Sequence, residues 1–244
     1  MELNIIENCD YYNCNAYLHL FYCCIRILIM YPIVHVILNY NKQYNNYDYN
    51  KKCYIIKNII KSIILCYISI DSVSLLYEAY YGRWDNNSLN QFASIYVSND
   101  IMGLIIIPKL PTTTKFHHII SSILLIYSYT VDFTEDNVGR FLFILCIFSS
   151  FSFLVNFYLA ARYLESNDDI LLSKITNLIR LWGYYIYVLC CLISWSTQIM
   201  LLSIKLYNYQ LTLPCIIYTL VLIPIINDDL ILMSWLRNKT LKVD

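Results

Sequence analysis

Long apolar runs separated by short polar segments cover the chain from about residue 17 to residue 235. A helix that crosses a bilayer needs about 20 mostly apolar residues. The runs predict seven transmembrane helices, at residues 17–38, 58–78, 92–108, 113–132, 140–163, 177–204 and 211–235. We therefore expect an all-α, multi-pass transmembrane helix bundle that forms a single domain over residues 1–244.

The composition agrees with this pattern. Of the 244 residues, 59% are hydrophobic and only 14% are charged, whereas soluble domains average about 25% charged residues. The net charge is zero, which gives no general attraction to nucleic acid. The ten cysteines include no C-x-x-C pair and mostly lie in apolar runs, so the sequence predicts no metal site and no bound cofactor.

Lysine and arginine are unevenly divided between alternate loops, and the positive-inside rule assigns the richer set to the cytosol. The richer set is Lys42, Lys51, Lys52, Lys57, Lys61, Lys109, Lys115, Arg162, Lys174, Arg180, Arg237, Lys239 and Lys242. The poorer set is Arg83, Arg140 and Lys205, while Arg26 falls within the first run. This distribution predicts an outside N-terminus and a cytosolic C-terminus. The sequon at Asn86 then lies outside and is a candidate for glycosylation.

Two adjacent histidines open the fourth apolar run, in KFHHIISSILLIYSY at residues 115–129. If the helix begins near Thr113, a rise of 1.5 Å per residue places His117 about 6 Å inside the cytosolic rim. An imidazole at that depth either reaches headgroups and water or faces a cavity, as ionisable residues within spans usually do. The sequence leaves both interpretations open.

Other runs also carry polar side chains, namely Asp71, Asp100, Asn156, Asp228 and Asp229. A buried carboxylate has to be protonated, paired or next to water. Asp100 comes one run before the histidines, and a carboxylate bonded to a histidine suits that histidine to act as a general base. We therefore expect Asp100 to lie near His117 or His118. The last two carboxylates are inside the membrane only if the seventh helix continues past Ile226.

The segment HHIISSILLIYSY resembles the Lag motif of TLC-domain membrane proteins, in which a His-His pair is followed by Ser or Thr and then by a Ser-Tyr pair. The matching residues here are His117, His118, Ser121, Ser128 and Tyr129. Upstream, SIYVSNDIMGLI resembles the family segment that carries an Asp on the preceding helix, which Asp100 matches. The resemblance covers residues 50–242.

Two later segments extend the resemblance, and one departs from it. FSFLVNFYLAARYL is similar to the Asn-containing segment of the family, and ILMSWLRNKTLK to its Trp-and-basic C-terminal end. Ceramide synthases of the family also carry an H-D-x-x-D element after the His-His pair. The chain instead reads LFILCIFSSFSFL, which contains neither a histidine nor an acidic residue.

The resemblance implies a helix bundle with a lipid-accessible cavity in the endoplasmic reticulum or another secretory-pathway membrane. We expect the protein to bind or regulate membrane lipids such as sphingolipids, ceramide or phospholipids. The candidate lipid-binding residues are Ser121, Ser128, Tyr129, Asn156, Asp71 and Asp228. The alternative is a ceramide-synthase-type N- or O-acyltransferase with fatty acyl-CoA as substrate and with His117, His118 and Asp100 as catalytic candidates. A seven-helix receptor is a second alternative.

Overall fold

The computed structural model of the protein describes residues 3–165 and 170–238, which are 84% helical and contain no strand. The helices are α1 (Leu3–Leu38), α2 (Lys42–Asn45), α3 (Tyr49–Tyr80), α4 (Asn86–Ile106), α5 (Thr112–Ser128), α6 (Gly139–Ser150), α7 (Phe153–Leu164), α8 (Ile170–Tyr207) and α9 (Leu213–Arg237). The all-α prediction is confirmed. Each predicted run falls on one helix, except residues 140–163, which form α6 and α7.

Several of these helices are long and apolar enough to cross a bilayer. Four meet that condition: the Asn15–Leu38 part of α1, and α3, α8 and α9. The bent pair α6 and α7 makes a fifth if it forms one span. α5 has only 17 residues, and α4 carries the polar sequence Ser98-Asn99-Asp100, so neither is among the candidate spans. The chain is thus compatible with a multi-pass membrane protein of four to five spans, while seven spans and the orientation stay predictions.

Contacts between helix ends define two rims of the bundle. At the first rim, the Asn41 amide donates to the carbonyl of Leu164 at the end of α7, at 3.3 Å. Asn50 in the first turn of α3 exchanges two hydrogen bonds with the backbone of Lys109, just after α4. The start of α3 therefore lies beside the ends of α4 and α7.

The opposite rim joins the α3–α4 connection to the α5–α6 connection. The Asn86 side chain donates to the Asp132 carboxylate at 2.9 Å and accepts from the Phe133 N–H at 2.8 Å. Hydrogen bonds from Asn86 and Thr134 lower the pKa of the exposed Asp132 carboxyl. The side-chain amide of Asn86, the predicted glycosylation site, therefore already makes hydrogen bonds, which a glycan attached there would have to break.

α3 lies at the centre of the packing. Its side chains Ile55, Ile60, Leu65 and Ile68 are completely buried. The first two pack in a cluster with residues of α1, α4 and α7, and the last two in a cluster with α4 and α6. The outer faces of α1, α8 and α9 expose many large apolar side chains, such as Leu220, which is 62% exposed. Apolar surface of this extent is typical of helices that face lipid.

The two-residue break between α6 and α7 produces a bend of 42°. The Ser152 hydroxyl donates to the Ser149 carbonyl at 2.7 Å, and the Ser62 hydroxyl of α3 donates to the Phe153 carbonyl at 2.9 Å. Irregular backbone at membrane depth is tolerated where protein groups satisfy it. α3 therefore stabilises the bend.

Gly183 lies where α8 packs on α7, and a Cβ at this position would be 3.5 Å from atoms of Leu154. Alanine fits at that ordinary contact distance, whereas a large side chain forces the helices apart. We expect Gly183→Leu to lower the free energy of unfolding by about 1–3 kcal/mol and Gly183→Ala to have little effect. Thermal unfolding in detergent measures both. A Gly183→Leu protein as stable as the wild type would contradict this packing.

Candidate functional site

A cavity opens within the bundle and takes lining residues from each helix from α3 to α9. It encloses about 1270 Å³, including its opening. Part of its wall is apolar and part is ionisable. The lysines, histidines and aspartates among the lining residues are Lys57, Lys61, His117, His118, Asp228 and Asp229. A mostly apolar pocket with a few convergent polar groups is the usual form of a small-molecule site.

Four side chains from three helices form a buried network beside this cavity. Lys61 of α3 donates to Asp100 Oδ1 of α4 at 2.5 Å. The same oxygen lies 3.3 Å from Nδ1 of His118 on α5, and Nε2 of His118 contacts Nζ of Lys57 on α3. Asp100 is completely buried and His118 is 3% exposed. Asp100 thus lies beside one of the two histidines, as the sequence predicts.

His117 faces a different carboxylate. Its Nδ1 lies 3.5 Å from Asp228 Oδ2 on α9, and its ring centroid is 5.8 Å from that of His118. α9 continues to Arg237, so both of its carboxylates lie within the helix and line the cavity. Asp229 accepts a hydrogen bond from the Tyr187 hydroxyl of α8 at 2.6 Å. The alternative in which the last helix ends near residue 226 is therefore excluded.

The remaining predicted lipid-binding residues divide into two groups. Ser121, Ser128 and Asn156 line the cavity. Tyr129 is buried, but its hydroxyl bonds to a serine of α4 at 2.6 Å, and it is not among the lining residues. Asp71 is exposed on α3 and is not among them either. The structure therefore does not bring Tyr129 or Asp71 to this site.

Lys57 and Lys61 are the part of the site that the sequence pattern misses. The positive-inside distribution assigns both to a cytosolic loop, and this prediction is wrong because α3 already begins at Tyr49. Within α3 the two lysines are 3% and 8% exposed. Residues four apart share one face of a helix. The four-residue spacing of the two lysines, next to an apolar run, could therefore have indicated that both lie on one face of a helix.

Gly103 of α4 makes the space that Lys57 occupies. A Cβ at position 103 would lie 2.8 Å from Cε and 3.3 Å from Nζ of Lys57. At such separations one group has to shift, and because these atoms are at the flexible end of the lysine, a side chain at position 103 moves the end of Lys57. The absence of a β-carbon therefore lets the lysine stem pass along α4 to His118.

Asp100, His117 and His118 each offer one ligand atom within 4.8 Å of the others, which is a possible metal-binding set. Lysines already occupy this set, since Lys61 binds Asp100 and Lys57 contacts His118. Two ammonium groups at such short range repel a divalent cation. The donor set alone therefore gives no basis for assigning a metal.

Comparisons of the chain with protein-family models, with curated proteins and with solved structures give no match. The geometry of the cavity and its polar network is therefore the basis for a functional proposal.

The buried Lys61–Asp100 pair gives a direct test of the network. Asp100→Asn leaves the ammonium of Lys61 without a counter-charge, and breaking a buried pair from one side costs about 3–5 kcal/mol. The double variant Lys61→Met/Asp100→Asn removes the unpaired charge, so we expect it to recover most of that loss. Thermal unfolding in detergent measures the series, with the exposed Asp71→Asn as control. Equal stability of wild type and Asp100→Asn would show that the pair does not form.

Proposed function

We propose that the protein is a TLC-domain-like integral membrane protein that binds membrane lipids in the cavity between α3 and α9. The observation that carries the proposal is the lining of that cavity, where an apolar wall adjoins a set of ionisable groups. An amphiphile with a polar headgroup and an acyl chain complements both parts. In this proposal the bundle has seven spans, an outside N-terminus and a cytosolic C-terminus. It regulates sphingolipids, ceramide or phospholipids of a secretory-pathway membrane.

The placement of the motif residues supports the TLC-like part of the proposal. His118 of the His-His pair lies beside Asp100. Ser121 and Ser128 are seven residues apart on α5 and both line the cavity, as does Asn156 on α7. Most of the motif residues therefore meet at one cavity, with Asp100 behind His118 and with Tyr129 outside the lining.

Filling the cavity should displace the lipid. Leu145 lines it from α6, so we expect Leu145→Trp to reduce the amount of lipid that co-purifies with the protein several-fold. Leu220→Trp makes the same change on the exposed face of α9 and serves as the matched control. Lipid extracted from equal amounts of purified protein is measured by mass spectrometry. Equal lipid content in both variants and the wild type would contradict binding in this cavity.

The His117–Asp228 pair favours acyl transfer as a second candidate function. Both histidines line the cavity, but His118 is 3% exposed and already contacts Lys57 beside Asp100, whereas His117 is more exposed and has Asp228 beside it. In this reaction an imidazole nitrogen of His117 accepts the proton from a lipid hydroxyl or amine as that group attacks the thioester carbonyl of a fatty acyl-CoA. The C–S bond breaks, an ester or amide forms, and the proton passes to the departing thiolate. Asp228 orients the imidazole and stabilises its protonated form.

This reaction is tested by expression in cells depleted of sphingolipids. The wild type should raise ceramide or another acylated lipid, and His117→Ala should reduce that product at least about 100-fold, the usual range for loss of a general base. Asp228→Asn should reduce it as well. His19→Ala on α1 is the control, because His19 is not among the lining residues. If the wild type raises no acylated species at normal membrane abundance, catalysis is excluded and lipid binding is unaffected.

A further inference from the structure

Lys57 is a buried lysine without a direct ion pair among the side chains that the structure describes. Lys57 is 3% exposed, and its ammonium contacts an imidazole nitrogen of His118 rather than a carboxylate. No carboxylate of residues 15–165 and 170–238 lies within ion-pair distance of Lys57, and Asp100 and Asp228 act on it only from further away. A buried cation without an anionic partner is costly. Lys57 also lines the cavity, so a ligand can reach it.

The nearby carboxylates are already engaged. Asp100 pairs with Lys61 and is not among the cavity-lining residues. On α9, Asp228 faces a histidine and Asp229 accepts a hydrogen bond from a tyrosine hydroxyl. The cavity therefore presents the ammonium of Lys57 on the α3 wall, while the carboxylates that line it are on the α9 wall.

The cavity changes character along α5. His117 and His118 line it near the start of the helix, and Leu124 and Leu125 line it seven residues later; Ser128 beyond them also lines it, but its hydroxyl donates to the Leu125 carbonyl. At 1.5 Å per residue this is a distance of about 10 Å. The cavity therefore has a polar end next to Lys57 and an apolar end further along α5. A headgroup would fit the first and an acyl chain the second.

We propose that the cavity holds an amphiphile with an anionic headgroup, a carboxylate or a phosphate, which pairs with the ammonium of Lys57 while its chain lies against the leucines. This inference rests on the proposed lipid-binding function and specifies its ligand class. An oxyanion accepts charge-assisted hydrogen bonds, which are roughly twice as strong as neutral ones. Lys61 lies one turn further along the same face of α3 and lines the cavity as a second cation.

The test compares probes with the same chain and different headgroups. Wild-type protein in neutral-lipid nanodiscs is titrated with hexadecanoate, hexadecyl phosphate, hexadecanol and hexadecylamine, and occupancy is read by native mass spectrometry. We expect at least one anionic probe to bind about tenfold or more tightly than the alcohol, as expected for a hydrogen bond to a charged group. The ratio of carboxylate to phosphate affinity distinguishes a fatty acid from a phospholipid-type headgroup.

Variants then assign the preference to one side chain. Lys57→Met keeps most of the stem and removes the ammonium, so the affinity for the anionic probes should fall to that for the alcohol. Lys57→Arg should keep the preference, and so should Lys52→Met, a control in the first turn of α3. If wild type binds all probes equally, the anionic ligand class is wrong while lipid binding stands. If Lys57→Met keeps the preference, the pairing of the headgroup with Lys57 is wrong. If no probe binds, both the ligand class and lipid binding are wrong.

Discussion

A charged side chain buried among apolar helices is costly unless it is paired or faces a cavity, and the Lys61–Asp100 pair meets the first condition inside the bundle. It joins α3, the helix with the most central packing, to α4. The same carboxylate of Asp100 also lies beside His118, and this contact positions α5 against α3 and α4. Three helices therefore meet at one carboxylate, and the cavity lies on the other side of the lysines. The Lys61–Asp100 pair therefore both holds these helices together and fixes the polar wall of the cavity.

The two adjacent histidines have different environments for a simple geometric reason. Successive residues on a helix point about 100° apart, so the pair cannot face one partner. His118 points into the buried network with Asp100 and Lys57, and His117 points toward Asp228. Both imidazoles line the cavity, but one is held in the buried network and the other has a carboxylate of α9 as its neighbour. A motif that appears as a single feature in the sequence consists of two groups with separate roles.

The positions of the helices and the proximity of Asp100 to His118 could be predicted from the sequence, because apolar runs mark helices and the motif order places these residues on neighbouring helices. Lys57 and Lys61 could not be placed by a rule that counts loop charges, since such a rule ignores the face of the helix on which a lysine lies. Asp71 shows a second limit. In a helix that is apolar all round, the pattern does not specify which face turns toward a cavity.

Gly103 contributes no functional group, yet it controls the electrostatic character of the cavity through volume alone. A single added carbon would collide with the stem of Lys57 and move a positive charge away from His118. The charge distribution of this site is thus determined partly by a position that carries no charge. In a related chain, an alanine at this position would therefore require the end of this lysine to shift, even if all the histidines, lysines and aspartates were unchanged.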